Sequence, residues 1–253
     1  MGVFLLVHGA CHGGWCWRKV SALLRAQGHE VLTPTLTGLG ERKHLRTDSI
    51  GLNTHIEDIS NVLFYEDLEQ VILVGHSYAG MVITGVANHA PDQIRHLVYL
   101  DADTPIDGQT LSDLHAESVK RIVDLATERG DHVILPPSGE SPYGVTENAD
   151  LEWLMPRLVP HPIGDGALTT KVSFNNPRTL EIPKVFINCT MRPDDDRRRS
   201  LVDRGFQYVE IRTGHDAMVT APHEVAELLN DCAHGTNIGG TSEGGSENIG
   251  LNG

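Results

Sequence analysis

The sequence predicts an α/β protein: a doubly wound, mostly parallel sheet flanked by helices, with a helical cap inserted between two strands. Three observations carry that expectation. Short apolar runs recur without the alternation of a half-exposed sheet, the pattern of strands covered on both faces. Segments with helical spacing lie between these runs, as in a chain that alternates strand and helix. One long stretch, 104–182, breaks the rhythm with many prolines and little strand signal.

"VFLLV" (3–7) is the first strand. "WCWRKVSALLRAQG" then places Val20, Leu23 and Leu24 at helical spacing and ends in Gly28, a natural C-cap. "EVLT" (30–33) follows as a strand. "THIEDISNVLF" puts Ile56, Ile59 and Leu63 on one helical face, and Thr54 with Glu57 has the spacing of a capping box. "VILVG" (71–75) and "HLVYLD" (96–101) are the next strands, separated by the helical run "YAGMVITGVANHA". Beyond the insertion come "KVFIN" (184–188), "QYVEI" (207–211) and a last helix, "PHEVAELLNDC", which opens on Pro222 and repeats Val225, Leu228 and Leu229. Residues 1–103 and 183–233 are then the core and 104–182 the cap. Residues 234–253, rich in Gly, Ser, Asn and Glu with almost nothing to bury, read as a disordered tail.

The 253 residues are 40% hydrophobic, enough for a substantial core. A formal charge of −14 argues against nucleic acid or an anionic membrane surface as partner. No apolar stretch reaches the ~18–20 residues of a membrane span, and "VFLLV" is too short for a signal-peptide core. A soluble, cytoplasmic protein is expected, and a homodimer is compatible with these features. Cys11, Cys16, Cys189 and Cys232 lack C-x-x-C spacing and read as reduced thiols.

Ser77 carries the functional signal. It follows a buried strand and precedes a helix, with Gly75 two residues before it, Ala79 two after and Gly80 three after. A turn this sharp strains the serine backbone and needs nearly side-chain-free flanks. The arrangement matches a nucleophile elbow, G-x-S-x-G, with alanine in the last position. A hydroxyl needs a base, and the base an orienting acid, in the chain order Ser, acid, His. His215, in "RTGHDAM" between the last strand and the last helix, is the candidate base. Asp101 is the favoured acid, because an aspartate closing an apolar run is costly unless paired. Asp194, in "PDDDRRR" after the penultimate strand, is the alternative acid, and Asp103 a third. The oxyanion hole is expected from the amides of Tyr78 and of Ala10 in the glycine-rich loop "HGACHGGW". Trp15, Met218 and Trp153 are candidates for an apolar substrate pocket. His8 and His12 are four apart, but they straddle a strand end and a glycine loop rather than one helix face, so a metal site is not expected. No cofactor is called for.

"LVHGACHGGWCW", "LTPTLTGLGER", "THIEDISNVL", "VILVGHSYAGMV" and "TGHDAMVTAPHEVAELL" resemble the α/β-hydrolase superfamily, in particular the branch of plant methylesterases, hydroxynitrile lyases and small bacterial esterases. The resemblance implies Ser77 as nucleophile, His215 as base, and Ala10 and Tyr78 as amide donors. "YLDA" (99–102) resembles members whose acid follows the preceding strand, which favours Asp101. The lyase members place a lysine after the histidine and a threonine in the first loop, where this chain has Asp216 and Gly9. The expected activity is therefore carboxylesterase-like hydrolysis of a small, largely apolar ester-type substrate. The alternatives are lyase use of the same triad and a non-catalytic ligand receptor on the same scaffold.

Overall fold

The computed structural model describes residues 1–139, 141–164, 166–189 and 195–235. The chain runs β1 (Val3–Val7), α1 (Arg18–Ala26), β2 (Glu30–Leu32), α2 (Leu52–Tyr65), β3 (Val71–His76), α3 (Ala79–His89) and β4 (Ile94–Leu100). Then come α4 (Leu111–Leu114), α5 (Ala116–Arg129), β5 (Val133–Ile134), α6 (Asn148–Leu154), β6 (His161–Pro162) and α7 (Pro177–Glu181). The chain ends with β7 (Lys184–Cys189), α8 (Asp195–Asp203), β8 (Phe206–Ile211), α9 (Ala217–Thr220) and α10 (Pro222–His234).

The six apolar runs form one sheet in the order β2-β1-β3-β4-β7-β8. Every pairing in it is parallel. Alternate side chains leave opposite faces of a strand, and both faces are covered. Leu5, Leu73, Leu97 and Phe186 pack with Ile56, Ile59 and Val82 of α2 and α3. Phe4, Ile72, Val98 and Val185 pack with Val20, Leu24, Val225 and Leu229 of α1 and α10. Burial on both faces is why the strands read as unbroken apolar runs. The order reverses between β1 and β3, and a crevice at such a switch point, beyond the carboxyl ends of the strands, is where open α/β sheets bind ligands.

The segment between β4 and β7 contains α4 to α7 and a two-stranded antiparallel ribbon, β5 with β6. At His115 the helical stretch breaks into α4 and α5.

Two local expectations are corrected. α2 begins at Leu52, not Thr54, with an extended Gly51 as N-cap and no side-chain cap, so Thr54 and Glu57 form no capping box. Leu52 is itself buried in the core, and packing draws the helix forward. α10 runs through His234 and closes on Gly235 at φ 66°, one turn-end further than the tail expected from 234; residues 236–253 lie outside the described residues. All four cysteines are free and buried. Among the described residues no helix is long and apolar enough to cross a membrane.

Gly80 shows how tightly α3 packs against the loop after β4. A Cβ there would sit 1.9 Å from the Asp103 carbonyl oxygen, a backbone atom with no rotamer to escape into. We expect Gly80→Ala to destabilise the fold by about 1–3 kcal/mol, the usual range for overpacking, as a lower denaturant midpoint at unchanged m-value.

Candidate active site

β3 ends at His76, α3 begins at Ala79, and Ser77 takes the turn between them at φ 55°. A left-handed backbone is costly for a residue with a side chain, and three hydrogen bonds hold it here. The Ser77 amide donates to Leu100 O (3.3 Å), and its carbonyl accepts from the amides of Gly80 (3.0 Å) and Asp103 (3.1 Å). Asp101 closes the neighbouring strand β4 in the same left-handed region, φ 42°, with its amide donating to Ile187 O at 2.8 Å. The ends of two adjacent parallel strands thus carry the hydroxyl and the carboxylate side by side.

His215 comes from the loop after β8. Its Nδ1 lies 2.6 Å from Asp101 Oδ2. A carboxylate accepts, so Nδ1–H donates and Nε2 of the neutral ring is left as an acceptor. The second Asp101 oxygen is 3.6 Å from Arg197, whose guanidinium also lies over the Phe186 ring. Burial disfavours charge on His215, but the hydrogen bond and charge of Asp101, with Asp216 and Asp103 nearby, outweigh it and raise its pKa above 6.5.

Ser77, His215, Asp101, Ala10 and Tyr78 line one cavity of about 350 Å³. Among the described residues no hydrogen bond joins Ser77 Oγ to His215. Such nucleophile–base contacts are often long before substrate arrives. Nor, among the described residues, does the amide of Ala10 or of Tyr78 donate a hydrogen bond, and both residues line the cavity beside the serine. The remaining wall comes from Leu111, His115, Ser118, Val119, Ile122 and Ile134, with Asp103 and Arg197. His115 Nε2 pairs with Asp103 Oδ1 at 2.5 Å, and this pairing raises the pKa of the imidazole.

Three expected pocket residues lie elsewhere. Trp15 and Trp153 pack edge to face on each other, 5.2 Å between centroids, and Trp15 lines a separate hollow with Gly40, Pro156 and Val159. Met218 is fully buried in the core beneath α1 and α10. Aromatic and thioether side chains found each other and the core rather than the cavity. Asp194 lies outside the described residues; Asp195 and Asp196 open α8, and Asp196 pairs with Arg199 on the surface.

The sequence reading missed a layer of buried histidines beneath the site. His8 Nε2 accepts from the Leu36 amide (3.1 Å), so its Nδ1–H donates to Gly9 O (2.8 Å) and fixes the peptide that carries the Ala10 amide. Burial pushes its pKa down to about 3, keeping it neutral. His55 is held by Thr37 O and receives the Tyr78 hydroxyl at 2.9 Å. His161 packs on Tyr78, 4.7 Å between centroids. His76 lies outside the cavity lining, and its Nε2–H donates to His215 O at 3.0 Å. A signal was available for two of these: His8 and His76 close apolar strands just as Asp101 does.

Comparison with known proteins agrees with this architecture. The chain is 38% identical over 241 residues to the carbendazim hydrolyzing esterase of Nocardioides sp. (strain SG-4G), covering 90% of this chain and 98% of that one. It is 28% identical over 262 residues to methylesterase 10 of Arabidopsis thaliana, 91% of each chain. An extracellular alpha/beta-hydrolase from a Paenibacillus species, described as sharing structural and functional homology with tobacco salicylic acid binding protein 2, superposes with a TM-score of 0.78. It is 26% identical, with 92% of this chain and 99% of that chain covered. The sequence pattern of the alpha/beta hydrolase family matches residues 4–228, nearly the whole of the sheet and its helices, and to that family this chain belongs.

Proposed function

We propose that this protein is a serine hydrolase that cleaves an ester-type bond of a small, largely apolar substrate through an acyl-enzyme on Ser77. His215 is the general base, Asp101 orients it, and the amides of Ala10 and Tyr78 hold the oxyanion. The observation that carries the reading is the 2.6 Å contact between His215 and Asp101 at the wall of the cavity that exposes Ser77. Ser77 attacks the carbonyl as His215 takes its proton; His215 then protonates the leaving group, and water repeats the sequence. Carboxyl esters suit this machinery, and so do carbamates and lactones. The apolar wall of Leu111, Val119, Ile122 and Ile134 favours an apolar group beside the carbonyl. The esterase names of the curated relatives support the same class. Residues 104–182 act as the cap that shapes this wall.

Use of the triad for lyase chemistry is disfavoured by Asp216. It follows His215, is fully buried and is bonded to His12. A buried carboxyl group, unlike the lysine of the lyase members, cannot take up a departing anion.

The test is a panel of chromogenic esters with wild type and Asp101→Asn, plus mass-spectrometric mapping of an organophosphate label, expected on Ser77. Asp101→Asn should lower kcat about 10²- to 10⁴-fold, since the imidazole loses the carboxylate that selects its tautomer and stabilises its positive charge. The base must be neutral, so wild-type kcat/KM rises as pH rises through a His215 pKa above the ordinary 6.5. Without Asp101 that limb shifts to lower pH. A wild-type rate and an unmoved limb in Asp101→Asn would remove Asp101 from the mechanism.

A further inference from the structure

Next to His215 the chain holds half of a second His–Asp couple, and it is sealed from the cavity. His12 Nε2 lies 3.0 Å from Asp216 Oδ2, and both side chains are fully buried. The other ring nitrogen of His12, Nδ1, lies 2.7 Å from Ala10 O. A carbonyl can only accept, so Nδ1 carries a hydrogen. The Nε2–Oδ2 contact then needs one further hydrogen, shared by imidazole and carboxyl. Trp15 and Tyr143 flank the His12 ring at 5.6 and 4.9 Å between centroids and leave it little freedom.

Asp216 is equally fixed. Its amide donates to Tyr143 O (3.1 Å), and its carbonyl accepts from the amides of Val219 (2.8 Å) and Thr220 (3.1 Å). His76 ties the adjoining residue by donating to His215 O, and its Nε2 stands 3.8 Å from Asp216 Oδ1. The couple therefore joins two segments more than two hundred residues apart, with a sequence separation of 204 between His12 and Asp216. One segment offers the Ala10 amide; the other holds His215.

We propose that His12 and Asp216 are positioning residues, a buried strut that keeps the oxyanion loop and the base-bearing loop in register. The role rests on the esterase reading above. His8 fixes the peptide plane before Ala10 through Gly9 O, and His12 fixes the plane after it through Ala10 O. With both planes held, the Ala10 amide keeps its aim. Asp216 holds His12 and is one residue from the base, so displacement of either loop is resisted by the other. Neither member reaches the cavity, and neither exchanges a proton with substrate. Misplacement of reacting groups by about 1 Å costs up to 10²-fold in rate.

Steady-state kinetics on a chromogenic ester test the strut. His12→Ala and Asp216→Ala should each lower kcat about 10- to 100-fold with KM within about threefold, because the oxyanion contact is made in the transition state. The double variant should be no worse than either single one, as for two halves of one link. Asp216→Asn, whose amide donates to His12 Nε2, should keep kcat within about threefold of wild type. Additive losses, a loss confined to KM, or equal losses in Asp216→Asn and Asp216→Ala would overturn the proposal. Hydrogen exchange tests the link apart from turnover. His12→Ala should speed exchange in residues 212–216, and Asp216→Ala in residues 9–13. Exchange that rises only in the substituted loop would overturn the strut, whereas a wild type with no ester turnover and no Ser77 label would overturn only the esterase reading.

Discussion

Exchanging Ser77 for alanine is expected to lower kcat toward an activated ester by about 10⁴- to 10⁶-fold, the loss that would follow removal of the proposed nucleophile. The size follows from what remains. Alanine keeps the apolar wall, the two unpaired amides and the His215–Asp101 couple, so substrate still binds and an oxyanion is still stabilised. Only the bond-forming oxygen is gone. Substrate affinity should therefore change little, and the organophosphate label should disappear. The fold should also survive, because alanine at φ 55° is no more strained than serine, and the three backbone bonds at this turn involve no side chain. Direct attack by water assisted by His215 would leave a far larger residual rate. Activity above about 1% of wild type in Ser77→Ala would end the acyl-enzyme reading.

The second large effect is on stability, below pH 6.5. Burial lowers the pKa of His8 to about 3 and lowers those of His55, His76 and His161 as well. Each stays neutral in the fold but takes a proton in the unfolded chain as pH falls through 6.5. Protons then favour unfolding, and stability drops by about 1.4 kcal/mol per pH unit for each such group. The four act in the same direction, against a total stability of about 5–15 kcal/mol for a typical domain. His115 and His215 act the opposite way. Their raised pKa values give stability that is complete below 6.5 and fades as pH rises through the folded values. Urea unfolding at pH 7.5, 6.5, 6.0 and 5.5 should show a maximum near 6.5 and a steep fall on the acid side. A flat profile between 6.5 and 5.5 would mean that these histidines are not held neutral in the fold.

What could be read from the sequence divides along the range of the forces involved. The six strands were legible because strands covered on both faces must be apolar throughout, and nothing distant alters that. The elbow was legible because its constraint is local: Gly75, Ala79 and Gly80 crowd one turn. Asp101 was legible because an aspartate closing "HLVYL" needs a partner, although the sequence does not say which. The histidine layer was not. His12 finds its acceptor 204 residues away and His8 its donor 28 away, distances at which no spacing rule operates. The same reasoning that singles out Asp101 applies to His8 and His76, but it names no partner for either, and the fold supplies Leu36 and His215. Trp15, Met218 and Trp153 went astray because bulky apolar side chains suit a core as well as a pocket, and composition does not choose between them. The capping box failed because the burial of Leu52, a tertiary effect, outweighed a local hydrogen-bonding preference.

The hydroxyl, the carboxylate and the imidazole hang from β3, β4 and the turn after β8, and among the described residues β8 is an outer strand that pairs only with β7. On the reading proposed above, an opening that frees β8 from β7 would withdraw His215 from Asp101 while β3 and β4 keep Ser77 and Asp101 in place. Fraying at that margin would then cost turnover before it cost the interior of the sheet, so lost activity should be the first sign of local opening there.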